Sequence, residues 1–427
     1  MRHKIVIVGG GAGGIELATR LGKTLGKRNQ ATITLVDSNL THIWKPLFHE
    51  VAAGSLNPGI DELNYIAQAN WNAFDFQHGR MVGIDRARKV IRVTASSEIG
   101  LDEREIAYDS LVMAVGSQCN DFGTPGVQQH CQFLDSRAQA ERLHGMLLNR
   151  YMKSHAMDES HPLKIAIVGA GATGVELCAE LQHAVRVIQD YGVRHASPTA
   201  LKITLLEAGP RVLPVLNEKV SRAVHNALKG LGINVRVGTA VKEVTESGML
   251  LADGEVISAD LKIWAAGIKA PDFLKHLGGL ETNRISQLQV GQTLQTTLDK
   301  SIFAIGDCAS CPLDAESGRF VPPRAQAAHQ QAELLAKSLA RHVEGKALLS
   351  FKYEDRGTLV SLASFGAVGS LTGLLAGNGV TQGFLARTLY MSLYRLHQAT
   401  LFGNSRMLLR ALAEYLQRKT RPKLRLH

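Results

Sequence analysis

Two glycine-rich turns in this 427-residue sequence have the residue types and the spacing of dinucleotide-binding loops. An apolar run leads into each turn, and apolar residues at helical spacing follow it. In such a strand–turn–helix unit the first glycine makes the tight turn, the second lets the backbone approach a pyrophosphate, and the third lets helix and strand pack closely. The phosphates then lie at the N-terminus of the helix. The glycines are Gly9, Gly11 and Gly14 in the first loop and Gly169, Gly171 and Gly174 in the second loop.

An acidic residue follows each loop at the end of a second predicted strand. "ATITLVD" ends in Asp37 and "KITLLE" ends in Glu207, where a carboxylate accepts a hydrogen bond from a ribose hydroxyl. Because Glu207 would repel a 2′-phosphate, we predict that the second loop prefers NADH to NADPH. The separation of Gly169 from Glu207 is longer than usual, so we expect residues 185–200 to form a helix extension or an inserted loop.

Two such loops in one chain suit a pair of cofactors of which one stays bound and the other exchanges. A flavin accepts two electrons from a nicotinamide and passes them on. We therefore predict tightly bound FAD at the first loop and NADH, as a substrate, at the second. The apolar segment "IFAIGDCA" is predicted to be a strand that ends at Gly306-Asp307. In flavoproteins with two loops such an aspartate meets the ribityl chain, although alone it would be read as a turn residue.

Composition and charge limit the classes of protein and partner. The content of 45% hydrophobic and 20% charged residues predicts a chain that is folded throughout, and five scattered cysteines favour a reducing compartment. No cleavable leader is expected before the first strand. The formal charge of +10 is concentrated in residues 384–427, which hold nine Lys/Arg and one acid. This distribution argues against a nucleic-acid partner and favours an anionic surface such as a membrane.

The C-terminal sequence contains two amphipathic helical patterns. Such helices either pack on the protein's own core or lie in a membrane interface, and the basic charge favours an interfacial anchor. We expect both loops to be independent of residues 384–427. The positions on the first apolar face are Leu385, Leu389, Leu393, Leu396 and Thr400; on the second they are Leu408, Ala411, Leu412 and Tyr415, opposite Arg406, Arg410, Glu414 and Arg418.

An uncharged stretch, residues 357–386, is long enough to cross a bilayer. Its Gly, Ser, Thr and Asn residues favour short strands over a spanning helix. Without a spanning segment the chain would provide no transmembrane ion path, so we predict electron transfer without proton translocation.

Over essentially its whole length the sequence resembles the type II NADH:quinone oxidoreductases, single-subunit respiratory flavoproteins of bacteria. The similarity includes "HIWKPLFHEVAAGSL" and "WAAGIKAP", and most specifically "PPRAQAAHQQA" and "LYRLHQATLFG". The resemblance implies a membrane quinone as acceptor and a peripheral position on the cytoplasmic face of the bacterial inner membrane. It is compatible with a homodimer. The residues implied are Lys45 and Pro46 beside the isoalloxazine, Gly116 and Gly267 at the cofactor sites, Glu176 near nicotinamide and flavin, and Gln326 and Gln330 along the quinone channel.

The predicted architecture is an α/β fold with two Rossmann-like dinucleotide-binding domains and a C-terminal region of membrane-binding amphipathic helices. The FAD domain is split into residues 1–118 and 289–350, with the NADH domain and its connecting segments at 119–288. The C-terminal region is residues 351–427. The predicted reaction takes two electrons from NADH through FAD to quinone.

Other interpretations remain open at this point. Cys308-x-x-Cys311 has the spacing of a dithiol relay, as in the disulfide reductases or a sulfide oxidase, or of half a metal site. A soluble ferredoxin or thiol reductase of the same superfamily is the nearest enzyme alternative. The pair follows Asp307 rather than the first loop, and no second C-x-x-C completes a zinc site, so we expect no metal. A glutamate near a helix terminus is more often a cap or a solvated charge, which is the alternative for Glu176. The chain could also be a nicotinamide-responsive binding protein.

Overall fold

The computed structural model describes residues 2–94, 102–157, 162–193, 200–314, 318–370, 381–382 and 384–417, together with residues 420, 422, 424 and 425. Side chains are described for most of these residues but not for residues 60, 61, 154, 368–391 and 393.

The strands occur in two doubly wound units and several small sheets. In chain order they are β1 (His3–Val8), β2 (Ala31–Asp37), β3 (Thr41–His42), β4 (Leu63–Asn64), β5 (Asp75–His78), β6 (Arg80–Asp85), β7 (Val90–Thr94), β8 (Arg104–Ala107), β9 (Ser110–Met113), β10 (Gln118–Cys119), β11 (Leu163–Val168), β12 (Leu201–Leu206), β13 (Asn234–Arg236), β14 (Val241–Val244), β15 (Gly248–Leu251), β16 (Val256–Ser258), β17 (Leu261–Trp264), β18 (Ile268–Lys269), β19 (Leu288–Gln289), β20 (Ile302–Ala304), β21 (Ala309–Ser310), β22 (Thr358–Ser361), β23 (Ala367–Ser370) and β24 (Thr381–Gln382).

The α-helices vary from single turns to five turns or more. They are α1 (Ala12–Leu21), α2 (Phe48–Ala53), α3 (Pro58–Asp61), α4 (Tyr65–Asn72), α5 (Val127–His130), α6 (Arg137–Met157), α7 (Ala172–Asp190), α8 (Glu218–Gly230), α9 (Ala325–Val343), α10 (Phe384–Phe402) and α11 (Asn404–Gln417).

A parallel sheet in the order β20-β9-β1-β2-β5 forms the first unit. Its central strands are fully buried, which explains their continuous apolar runs. Ile5, Leu35, Leu111 and Phe303 are each 0% exposed. Strand β20 joins this sheet from a point far along the chain, so the first unit is built from two separate parts of the sequence, as the split FAD domain requires.

A second parallel sheet, in the order β13-β12-β11-β17, repeats this arrangement. The long separation between Gly169 and Glu207 is explained by α7, which continues to Asp190. Residues 194–199 of the predicted extension lie outside the described residues. The prediction of two Rossmann-like units in an α/β fold is confirmed. The domain limits themselves stay a prediction.

Three short antiparallel strands, β22, β23 and β24, lie within the uncharged stretch. They agree with the prediction of short strands there, and residues 371–380 of the stretch lie outside the described residues. Within the described part of the chain, no helix combines the length and the apolar character needed to cross a bilayer.

Helix α10 packs against α1 of the first unit. Leu401 is 2% exposed within the first hydrophobic core, and His397 is 3% exposed and contacts Glu16. The expectation that the loops are independent of residues 384–427 is therefore wrong for α10, because this helix covers part of the first core.

Helix α11 presents its polar face to the protein and its apolar face to solvent. Arg410 lies 4.6 Å over the ring of Phe402, Arg406 lies 5.6 Å over that of Trp71, and every residue of the helix is at least partly exposed. The most exposed apolar side chains are Leu408, Leu409, Leu412, Tyr415 and Leu416. Of the other amphipathic positions, the side chains of Leu385, Leu389 and Leu393 and the residue Arg418 lie outside the described part of the chain.

Candidate functional site

The first loop has the shape that a pyrophosphate requires. Gly9 has φ +101°, and a Cβ on it would lie 2.4 Å from the carbonyl oxygen of Ala114. A Cβ on Gly14 would lie 1.8 Å from the carbonyl oxygen of Gly9, so helix α1 packs directly on the turn. At Gly11 the nearest such atom is 4.0 Å away. Gly9 and Gly14 are thus fixed by packing, while Gly11 is open to a ligand.

Asp37 closes this loop from the end of β2. One carboxylate oxygen accepts the backbone amide of Gly10 at 2.6 Å, and the other accepts the backbone amide of Asn39 at 2.8 Å. These two bonds fix the orientation of the carboxylate beside the glycine turn, where the ribose of a dinucleotide lies in this kind of loop.

Lys45, Ser117 and Asp307 meet at the carboxyl edge of the first sheet. The Lys45 ammonium donates to the carbonyl oxygen of Ser117 at 2.7 Å, and the Ser117 hydroxyl donates to Asp307 at 2.8 Å. Strand β20 ends at Ala304, earlier than predicted, and Gly306-Asp307 begin a turn of 3-10 helix instead. Pro46 lies in a similar turn next to Lys45. The structure therefore brings together residues that are up to 262 positions apart in the sequence.

Gly116 and Gly267 lie on the segments that connect the two units. Gly116 has φ +69° with open space where a Cβ would be. Gly267 has φ +63°, a Cβ on it would lie 2.4 Å from the Phe122 ring, and its carbonyl accepts the amide of Asn120. Strands β10 and β18 pair antiparallel beside these glycines. Gly116 adjoins the Lys45–Ser117–Asp307 group, whereas Gly267 faces the segment around Asn120.

The second loop repeats the geometry of the first. Gly169 has φ +101° and its Cβ would lie 2.6 Å from the backbone of Ala266, while a Cβ on Gly174 would lie 2.0 Å from the carbonyl oxygen of Gly169. No atom lies within 4 Å of a Cβ placed on Gly171. Glu207, immediately after β12, takes the place that Asp37 has in the first loop.

Glu176 lies inside the protein on α7 and is 6% exposed. Burial raises its pKa to about 8, against the effect of a 3.0 Å hydrogen bond from the backbone amide of Ser361. Its other oxygen is 3.5 Å from Nδ1 of His49, whose pKa burial lowers to about 4. At pH 7 both groups are therefore mostly neutral, and their contact is not an ion pair. The alternative of Glu176 as a solvated charge or a helix cap is wrong, because its carboxyl is buried and bonds to Ser361.

Gln326 and Gln330 stand on the first turns of α9. Gln326 accepts the Tyr353 hydroxyl at 2.8 Å. The Gln330 amide pairs with the backbone of Glu354 in both directions, accepting its N–H at 3.0 Å and donating to its carbonyl at 2.8 Å. Both side chains thus tie α9 to the segment that precedes β22, and their contact with quinone stays a prediction.

The two cysteines of the C-x-x-C pair do not have the surroundings of a reactive dithiol. Both Cys308 and Cys311 are 0% exposed, and burial raises the pKa of each to about 12. The Cys308 thiol donates to the backbone carbonyl of Met113 at 3.4 Å. At neutral pH neither is a thiolate, which is the form that thiol exchange needs.

Residues 3–332 match the family model of the pyridine nucleotide-disulphide oxidoreductases. A type II NADH:quinone oxidoreductase of Haemophilus influenzae is 46% identical to the chain, and the alignment covers 99% of each. The chain belongs to the type II NADH:quinone oxidoreductases. A Staphylococcus aureus protein of that name is 29% identical over 87% of this chain and 90% of its own length.

Solved structures agree with this assignment at the level of the fold. The fold of this chain is similar to that of NDH2 from Plasmodium falciparum in complex with NADH, with a TM-score of 0.80 and 18% identity. That alignment covers 94% of this chain and 97% of the other. A sulfide:quinone oxidoreductase from Aquifex aeolicus has a TM-score of 0.73 at 18% identity.

For a type II NADH:quinone oxidoreductase the two loops fit FAD and NADH, since each has an open middle glycine between two glycines that no side chain could replace. Some residues of the site were not predicted. Ser117, which links Lys45 to Asp307, could have been found because it follows Gly116 directly. The contact of Tyr353 with Gln326 and that of Ser361 with Glu176 join distant segments and left no local signal.

Proposed function

We propose that the chain binds FAD at the first loop and NADH at the second, and that quinone reacts beside the first turns of α9. The reaction is that of the family, the transfer of two electrons from NADH to quinone, with FAD as cofactor and NADH as substrate. The observation that carries the proposal is the presence of two complete loops in one chain, each with its glycines and its fixed carboxylate.

When bound, the flavin supplies the chemistry by accepting a hydride and passing the electrons to an acceptor. The chain's part is to hold the reactants in contact and to exclude water. Gly11 and Gly171 leave the backbone open to a pyrophosphate, and Asp37 and Glu207 orient their carboxylates for ribose hydroxyls. Lys45, held by the Ser117 carbonyl, places a cation beside the flavin ring in this proposal.

Glu176 is proposed to face the nicotinamide as a neutral carboxylic acid. Because burial keeps it protonated at pH 7, it can donate a hydrogen bond as well as accept one from Ser361. A neutral acid also avoids placing a negative charge beside a cofactor that accepts hydride.

Membrane quinone is proposed to enter beside Gln326 and Gln330. The pairing of Gln330 with the backbone of Glu354 and of Gln326 with Tyr353 holds the start of α9 at a fixed distance from the neighbouring segment. Rigid walls of this kind suit a flat, apolar substrate that must lie against the flavin.

The surface of α11 is proposed to rest on anionic lipid. Its apolar side chains point away from the protein, while Arg406 and Arg410 contact aromatic rings on the protein side and can reach headgroups with their charges. The proposed location is the cytoplasmic face of the bacterial inner membrane, as a peripheral protein. A homodimer through the C-terminal region and the absence of proton translocation stay predictions.

Spectroscopy with two half-reactions tests the proposed function. The purified protein is expected to show a flavin spectrum that anaerobic NADH bleaches and that a short-chain quinone then restores. A variant with Cys308→Ser and Cys311→Ser serves as the control for a dithiol route and is expected to restore the spectrum equally well. A protein that takes up no flavin, or a reduced flavin that no quinone reoxidises, would overturn the proposal in favour of a binding protein.

A further inference from the structure

A buried carboxylate near the N-terminus contacts two histidines from the last third of the chain. Glu16 on α1 is 1% exposed, and each of its oxygens lies 2.6 Å from a histidine Nδ1. His329 on α9 contacts one oxygen and His397 on α10 contacts the other. We call these three residues, together with His42, the Glu16 cluster.

His42 extends the cluster towards the first loop. Its Nε2 lies 3.2 Å from Nε2 of His397, and its ring lies beside the backbone of Gly10. Burial, the largest effect, lowers the pKa of His42 to about 3, so His42 is neutral at pH 7.

The two histidines keep Glu16 ionised. Burial acts to raise the pKa of Glu16, but the hydrogen bonds from His329 and His397 hold it at about 2. Glu16 is therefore a buried carboxylate that accepts a hydrogen bond at each of its two oxygens.

His329 is the member of the cluster that reaches the surface, with 16% of its side chain exposed. It lies on α9 between the two glutamines proposed to line the quinone site, three residues after Gln326 and one before Gln330. Because Nδ1 faces Glu16, Nε2 is on the opposite side of the ring. Glu333, one turn further along α9, is a charged group close to it. The hydrogen bond from Lys337, together with the charges of Arg20 and His329, lowers the pKa of the Glu333 carboxyl.

We propose that His329 is a proton donor to quinone, oriented by the Glu16 carboxylate, with His397 as the residue that keeps Glu16 ionised. The inference rests on the proposed quinone site at Gln326 and Gln330. The arrangement of a carboxylate, an imidazole and a reacting oxygen is that of other carboxylate–histidine pairs, in which the acid fixes the tautomer and stabilises the imidazolium.

The proton transfer balances as follows. Quinone takes the two electrons and the one proton that NADH gives up as a hydride, and His329 supplies the second proton. The N–H bond at His329 Nε2 breaks and an O–H bond forms at a quinone oxygen. The neutral ring keeps its proton on Nδ1, which donates to Glu16. Water at the exposed edge of the ring then returns the proton to Nε2. Glu16 and His397 do not touch the quinone and act as positioning residues.

Stopped-flow measurements on the FAD-loaded enzyme test the donor. His329→Gln is expected to slow reoxidation of the flavin by a short-chain quinone by about 100-fold and to remove its dependence on pH, as loss of a general acid does. Flavin reduction by NADH should be unchanged. Glu16→Gln should slow reoxidation to a similar degree. It should also lower the pH above which the reoxidation rate declines. His342→Gln, on the same helix outside the cluster, is the matched control and should behave as wild type.

A second measurement does not depend on turnover. In wild-type protein labelled with ¹⁵N-histidine, NMR at pH 7.5 should show a proton on Nδ1 of His329, the nitrogen that faces Glu16. The His329 signal is assigned through the His329→Gln variant.

The outcomes separate the inference from the proposed function. A reoxidation rate and pH profile of His329→Gln equal to wild type, an equal loss in both half-reactions, or a His329 ring with no proton on Nδ1 would each overturn the inference. Wild-type flavin that no quinone reoxidises would instead overturn the proposed function.

Discussion

Glu207 accepts the backbone amide of Ala170 at 2.8 Å, so the carboxylate that follows β12 is held beside the second glycine turn. Its other oxygen accepts the amide of Gly209 at 2.7 Å. Asp37 makes the equivalent bond to Gly10 in the first loop. The two carboxylates are therefore parts of their loops before any nucleotide binds, and in the proposed complexes they also accept hydrogen bonds from ribose hydroxyls.

This double role predicts the effect of Glu207→Gln on nucleotide choice. The amide side chain loses the charge and can satisfy one of the two backbone donors only in part, so we expect the KM for NADH to rise about tenfold, the size of one charged hydrogen bond. The preference for NADH over NADPH should narrow, because the variant side chain no longer repels the 2′-phosphate of NADPH. Steady-state rates with both nucleotides and a soluble acceptor measure this, with exposed Glu243→Gln as the control. Equal use of both nucleotides by wild type would show that Glu207 does not select.

A bulky side chain at Gln326 should affect one half-reaction more than the other. Gln326→Trp removes the contact with the Tyr353 hydroxyl and fills the space beside it, so reoxidation by quinone should fall at least tenfold while flavin reduction by NADH stays within about twofold. Stopped-flow absorbance separates the two steps. Tyr353→Phe removes only the hydrogen bond to Gln326 and is the control for loosening of α9. If it leaves reoxidation unchanged, the loss in Gln326→Trp comes from blockage of the quinone site. Equal loss in both steps would mean damage to the flavin site instead.

Burial of Glu176 makes the free energy of unfolding depend on pH. Its pKa is about 8 in the folded protein and near 4.5 when unfolded, so the folded state holds a proton that the unfolded state releases between these values. Stability from this group is present below about pH 4.5 and is lost as pH rises towards 8. Glu176→Gln should remove this decline in the free energy of unfolding, which is about 1.4 kcal/mol per pH unit. Between pH 5.5 and 7.5 the variant should therefore gain about 2 kcal/mol in free energy of unfolding relative to wild type.

Denaturant unfolding at several pH values measures this gain. The exposed helical residue Glu218, changed to Gln, is the control and should leave the slope as in wild type. A wild-type curve that is parallel to that of Glu176→Gln across this range would contradict the buried, protonated state.

The apolar face of α11 predicts weaker lipid binding when it is made polar. Leu408→Ser with Leu412→Ser should reduce binding to anionic vesicles at least tenfold, since burying one leucine side chain contributes about 1.5–3 kcal/mol. Reaction of NADH with a small soluble acceptor should persist, because α11 adds no residue to either core. Leu298→Ser, at an exposed leucine elsewhere, is the control for general changes in solubility. Flotation of the double variant to the same extent as wild type would place the lipid contact on another surface.

Much of the fold was predictable because its signals are local. A strand, a glycine turn and a helix follow one another within about 20 residues at each loop, and Asp37 and Glu207 end strands that pair with the first ones. The orientation of α11 was not predictable, since an amphipathic pattern defines two faces without saying which one meets the protein. The contact between Glu16 and His397 spans 381 positions, and each residue alone reads as an ordinary polar residue in a helix. The pKa of Glu176 likewise depends on burial by distant segments.

The position of β20 has a consequence for synthesis of the protein. Strand β9 stays an open edge of the first sheet until β20 emerges about 190 residues later, and at about 5–20 residues per second this delay is about 10–40 s. During that time the second unit, whose strands lie between β9 and β20, can already be folded on the ribosome. Asp307, which follows β20, has then not yet joined the proposed flavin site. We therefore expect loading with FAD to be a late step in biogenesis, and the growing chain exposes an apolar strand edge until β20 pairs with β9.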